Sequence, residues 1–219
     1  MMFLLLACAA PTRDHFDVGG EMSALMVDVE VGNVRIVGAE RSDVSITRRM
    51  EGAATGRPLL EDGLLTVEAS CESLLPCRTD LDIEVPADLP VMLSVRQGDG
   101  WVVALRGELT AELQDGDLDA TELGSPILRA RLGTGDAFLR FESAPSELRV
   151  AAGMGDLRVV LPPGGYDLDL GGLGGVEQSG VVDQPGAPKV ELQTSAGRVS
   201  LRAELPAARR LEGAELAGR

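Results

Sequence analysis

Four aspartates, Asp99, Asp117, Asp136 and Asp156, recur along the chain, each directly behind a glycine. Carboxylates stacked in this way repel unless they splay into water or share a cation, and calcium would be the natural bridge. Calcium-binding β-rolls, however, repeat about every nine residues with more glycine and aspartate per turn. The spacing here is roughly twice that, so the four are read as turn residues that tolerate the backbone of a chain reversal. A second set is basic: Arg129 and Arg149 share a column with Thr110, Arg131 shares one with Glu112, and Arg140 and Arg158 lie on the adjoining strand. Guanidinium groups grip carboxylates and phosphates bidentately, so these five arginines could hold an acidic glycan, a lipid phosphate or a partner's carboxylates. The plainer and favoured reading is exposed ion pairing with Glu112, Glu142 and Glu147.

Catalytic chemistry finds little to work with. His15 is the single histidine and falls in an expected tether, which excludes a Ser/His/Asp set and a zinc site of four ligands. A carbohydrate-active β-helical enzyme would need two or three acids converging at mid-strand. Here the acids sit at turns or alternate outward, as in Asp80/Asp82/Glu84 and Asp167/Asp169. No enzyme and no cofactor are expected. Trp101 and Tyr166 are expected to fill core or rim.

The elements that would position these side chains are repeated. Val91–Val102, Leu109–Ala120, Leu128–Leu139 and Leu148–Val159 superimpose as apolar residues at alternate positions, a Gly/Asp turn, and a second alternating stretch. One column reads Val91, Leu109, Leu128, Leu148, Leu168, with steps of 18, 19, 20 and 20 residues; the next reads Leu93, Ala111, Ala130, Val150, Leu170. A single strand pair cannot bury such a face alone, so neighbours must cover one another. The fold class expected is all-β: one single-domain β-solenoid, a β-helix-like stack with two short strands per rung of about 18–20 residues. Leu25–Val31, Asn33–Val37 and Val44–Arg48 read as strands of a degenerate first rung, Glu51–Glu61 as a Gly/Pro-rich loop, and Leu64–Ala69 as a strand. The Gly171–Gly180 stretch is rich enough in glycine for the stack to loosen there.

The opening Met1-Met2-Phe3-Leu4-Leu5-Leu6-Ala7-Cys8 resembles a bacterial lipoprotein signal that lacks the basic n-region, with Leu5-Leu6-Ala7-Cys8 similar to a lipobox. That resemblance implies a signal peptide over residues 1–7, an acylated Cys8, a tether over 8–20, the solenoid over 21–203, and a C-terminal cap or tail over 204–219. Too few apolar residues are present for a spanning helix. Ala9 after the cysteine suits an outer-membrane destination. Cys71 and Cys77 are then an even pair, fit for a disulfide in an oxidising envelope compartment. A net charge of −15 excludes nucleic acid as a partner.

The run Leu81-Asp82-Ile83-Glu84-Val85-Pro86, then Val91-Met92-Leu93-Ser94-Val95, and the Gly-Asp turns before Leu118, Ala137 and Leu157 resemble the bacterial "putative adhesin" β-solenoid families of uncharacterised function. The resemblance spans about Leu25 to Leu201. It implies an envelope-associated domain without catalytic residues. The function expected is display by a non-enzymatic, lipid-anchored cell-envelope protein, its partners the membrane and an envelope protein or acidic glycan. A purely structural envelope spacer is the nearest alternative, with the glycan-active enzyme behind it.

Overall fold

The computed structural model describes residues 11–52, 54–71 and 77–205. Its described residues contain strands and no helix. Period-two alternation drives this, because each repeat buries every second side chain and must do so on strands. One strand of each repeat joins an eleven-stranded sheet, sheet I, and the other a ten-stranded sheet, sheet II. In sheet I, Val91–Gln97, Leu109–Asp115, Ile127–Thr134 and Glu147–Met154 pair in parallel. In sheet II, Gly100–Val103, Leu118–Leu123, Ala137–Phe141 and Leu157–Leu161 do the same. Leu109 stands opposite Val91 and Leu128, and Ala120 opposite Val102 and Leu139. The inward columns of both sheets merge into one buried apolar cluster.

Each repeat turns from sheet I to sheet II at a glycine followed by Asp or Asn. Gly98, Gly116, Gly135 and Gly155 have φ between +139° and +151°, where an L side chain is strained. Space is closed as well: a Cβ on Gly116 would overlap the carbonyl oxygen of Gly98. The backbone N–H of the residue behind each glycine donates to the side chain at the same corner of the neighbouring rung. The N–H of Asn33 donates to Asp80 Oδ1 (3.0 Å), that of Asp99 to Asn33 Oδ1 (3.1 Å), and that of Asp117 to Asp99 Oδ1 (3.0 Å). Asp136 donates to Asp117 (2.7 Å), Asp156 to Asp136 (2.8 Å) and Arg198 to Asp156 (2.8 Å). A corner N–H that would otherwise need water is thus satisfied within the protein.

Rung order departs from chain order at both ends. The pair Ala24–Val31/Val34–Ala39 lies between the Val91 rung and the pair Leu64–Cys71/Arg78–Pro86. At the other end, Lys189–Ala196/Val199–Ala203 inserts between Glu147–Met154/Leu157–Leu161 and Gly165–Gly172/Val176–Ser179. Leu168 therefore stacks on Val190 and not on Leu148, a correction to the expected column. The physical reason is side-chain supply. Val190, Leu192, Val199 and Leu201 give the inserted pair a complete buried face, whereas Gly171, Gly172, Gly174 and Gly175 leave the other pair fit only for an edge, and Val176–Ser179 is exposed throughout.

The expected tether is also shorter. Thr12–Val18 is a strand, antiparallel to Val44–Glu51, which runs antiparallel to Arg78–Pro86. Phe16 and Val18 pack on the core. Arg48, buried beneath them, pairs with Asp14 (2.7 Å), donates to the Gly56 carbonyl and lies 5.3 Å from the Phe16 ring centroid. Within the expected Glu51–Glu61 loop, Ala54–Thr55 and Pro58–Glu61 form short strands antiparallel to Leu64–Cys71. These additions cover sheet edges that would otherwise invite pairing with another chain. Cys71 and Cys77 are joined in a disulfide with Cα atoms 5.8 Å apart. The signal peptide with Cys8, and all of the expected C-terminal cap beyond Leu205, lie outside the described residues.

Two substitutions test the corner. Gly116→Ala is expected to lose roughly 3 kcal/mol or more in urea unfolding, while Gly19→Ala, where a Cβ meets nothing within 4 Å, changes stability by less than about 0.5 kcal/mol. Asp117→Ala should cost about 1–2 kcal/mol and Asp117→Asn almost nothing, because the amide keeps the acceptor.

Candidate functional site

The five arginines do not form one patch. Arg129, Arg131 and Arg149 project from sheet I, Arg140 and Arg158 from sheet II, so the two groups face opposite sides of the molecule. The expectation of a joint site is corrected by the corner itself, which sends the two strands of a repeat to opposite sheets.

On sheet I the arginines are engaged. Arg129 holds Glu108 (2.8 Å) and Glu147 (3.1 Å), Arg149 holds Glu147 (3.0 Å) with Glu191 at 3.9 Å, and Arg131 has Glu112 at 4.0 Å. The hydrogen bond to Glu147 raises the Arg129 pKa and fixes its charge. An open depression of about 360 Å³ lies here, with Thr110, Glu112, Glu191 and Gln193 among its lining residues. Three arginines and two glutamates line it, and Glu108 and Glu147 complete the internal pairing. Glu142, expected as a partner, makes no ion pair among the described residues.

On sheet II the pairing is looser. Arg140 pairs with Glu204 (2.9 Å), but Arg158 reaches Asp156 only at 3.8 Å. The inserted terminal pair adds Arg198, with Glu177 at 3.8 Å, and Arg202, which has no acidic partner among the described residues. Val160 stands between Arg140 and Arg202 in the ladder, and Ser200 faces Arg158. All four arginines line one open depression of about 440 Å³, together with Asp156, Glu177 and Glu204. Arg198 and Arg202 were invisible as site residues because only the rung inversion brings them beside Leu157–Leu161.

The middle of the same face is apolar. Trp101, expected in core or rim, points outward and stands half-buried with Val103 and Phe138. Tyr166 is core, its hydroxyl donating to the Pro162 carbonyl (2.8 Å). Asp119 lies between Trp101 and Phe138, and burial raises its pKa above the ordinary 3.8. Elsewhere the effect is opposite: hydrogen bonds from Arg41 and Arg106 lower the pKa values of Asp43 and Asp88.

The aspartate column is occupied by backbone, one oxygen per side chain accepting a neighbouring N–H. Asn33 fills the same role with a neutral amide. An acceptor, and not a charge, is what the corner requires. Among the described residues no group of three or more His, Cys, Asp or Glu side chains converges to hold a metal ion.

No protein-family profile matches the chain, and no curated protein matches it. Solved structures do. A "putative cell adhesion protein" from Clostridium sporogenes ATCC 15579 matches with a TM-score of 0.56 at 14% identity, covering 89% of this chain and 100% of that one. A "putative adhesin" from Bacteroides fragilis NCTC 9343 has a TM-score of 0.46 at 14% identity, over 88% and 97% of the two chains. The first of these places the chain in the same fold class: all-β, two sheets of mostly parallel strands.

The opposed carboxylate shifts give opposite pH behaviour. Pairs that lower a carboxylate pKa stabilise above the ordinary value and lose that stabilisation as pH falls through the depressed one. A raised pKa is unfavourable at neutral pH, and the penalty is relieved as pH falls through it. Asp88→Asn should therefore melt below the parent at pH 7, and Asp119→Asn at or above it. Both differences should shrink by pH 3 in thermal scans followed by circular dichroism.

Proposed function

We propose that the stacked sheets form a β-solenoid held in the cell envelope by a lipid on Cys8, and that the arginine end of sheet II captures an anionic partner. Its mechanism is display without turnover. The partner is an acidic glycan or the carboxylates of an envelope protein, since guanidinium groups bind such anions through paired hydrogen bonds. The observation that carries the reading is the state of Arg158, Arg198 and Arg202: two held at 3.8 Å and one with no acidic partner among the described residues.

Lipid attachment would also orient the stack. Only Ala9, Ala10 and Pro11 separate Cys8 from Thr12, the first residue of the edge strand. Extended chain then keeps that edge within about 14 Å of the acylated cysteine. The arginine depression lies toward the opposite end of sheet II, away from the membrane, which suits an outer-membrane protein that presents a binding end. A structural spacer is the second reading, favoured by the stiffness that a continuous corner ladder gives the stack.

Binding to immobilised polygalacturonate tests the display. The double change Arg158→Glu/Arg202→Glu should weaken retention at least about tenfold, equivalent to 1.4 kcal/mol, with an unchanged melting temperature. Arg129→Glu/Arg149→Glu should leave retention intact and lower stability, because it breaks internal pairs. Equal losses from both, or no retention by the parent, would favour the spacer. Mass spectrometry of the chain from its native membrane fraction should show an acylated Cys8, absent from Cys8→Ser.

A further inference from the structure

The apolar middle of sheet II holds a carboxylate that the display reading does not use. Asp119 stands in register with Trp101 on one neighbouring strand and Phe138 on the other. Adjacent strands lie about 4.8 Å apart, so the backbone positions that carry the two rings are about 9.6 Å apart with that of Asp119 midway. All three side chains are half-buried and face outward. Among the described residues Asp119 has neither an ion pair nor a side-chain hydrogen bond. Of the surrounding cations, Arg35 is held by Asp82 (3.0 Å) and Arg140 by Glu204 (2.9 Å), while Arg158, loosely held by Asp156 at 3.8 Å, stands beyond Phe138, one strand farther from Asp119. A carboxylate drawn partly out of water without a partner is unfavourable for folding, and burial here does raise its pKa.

We propose that Trp101, Asp119 and Phe138 form a receptor for an organic ammonium group. A cation above Asp119 would sit about 4.8 Å from each ring position, inside the roughly 6 Å reach of a cation–π contact, with the carboxylate as its counter-charge. Tryptophan is the strongest aromatic partner for such a group. The remaining neighbours, Val103 and Thr121, suit the methyl or methylene groups that an organic cation carries. A neutral sugar would leave the carboxylate charge uncompensated, and a metal ion would find no group of three His, Cys, Asp or Glu ligands among the described residues. The chain's net charge of −15 draws cations to the surface at long range.

Trp101 is the only tryptophan in the chain, so its fluorescence reports the site directly. Titration of the full chain with tetramethylammonium chloride at constant ionic strength should give a saturable change. The uncharged choline isostere 3,3-dimethylbutan-1-ol should not. Asp119→Asn and Phe138→Leu should each weaken the response at least tenfold without lowering the melting temperature, whereas Arg202→Glu, which removes a group of the anion face, should leave it intact. An equal response to the neutral isostere, an unchanged response in Asp119→Asn, or no saturation by the parent would overturn the proposal. Retention on phosphatidylcholine vesicles, against a response to Nα-acetyl-lysine amide, separates a lipid headgroup from a protein side chain as the source of the cation.

Discussion

The close approach of backbone to backbone at the glycine corners is the constraint on which the rest depends. A residue without a Cβ lets one rung's corner lie against the carbonyl of the last, which brings the N–H behind that glycine within reach of the last rung's Asp or Asn. Six such bonds run from Asp80 to Arg198. They hold seven successive rungs in register, and register sets which side chains meet: leucine and valine columns inside, arginine, aspartate and aromatic columns outside. A slip of one residue would turn every column over.

That logic explains what could be read from the chain in advance. The central rungs were legible because alternation and the Gly-Asp corner repeat together, and Leu109, Leu128 and Leu148 lie beside one another as their spacing implies. The inversions were not, because register is a local property while rung order is set by competition among rungs for an inner place. Lys189–Ala203 wins over Gly165–Ser179 through its unbroken apolar face, a comparison of two segments that periodicity alone does not make. Thr12–Val18 was hidden for a related reason: Phe16 and Val18 are few, and their partner Arg48 reads as a surface residue until Asp14 and Gly56 enclose it.

The candidate surfaces divide along the same line. Columns Arg129/Arg149 and Glu112/Arg131 followed from repeat alignment, yet opposite projection from the two sheets separates them from Arg140 and Arg158. Their glutamate partners, spaced one rung away, consume the sheet I charges. Arg198 and Arg202 joined the sheet II face only through three-dimensional order. Alignment of the repeats does put Trp101, Asp119 and Phe138 in one column, so that signal lay in the sequence; their outward direction follows from the buried neighbours Val102, Ala120 and Leu139.

Amide hydrogen exchange at the six corner positions tests the ladder most directly. The N–H groups of Asn33, Asp99, Asp117, Asp136, Asp156 and Arg198 lie near the surface, where ordinary turn amides exchange fast. Protection comparable with that of the central strands is the expected result. Exchange at the rate of open turns would contradict the corner ladder and, with it, the common register that builds both faces.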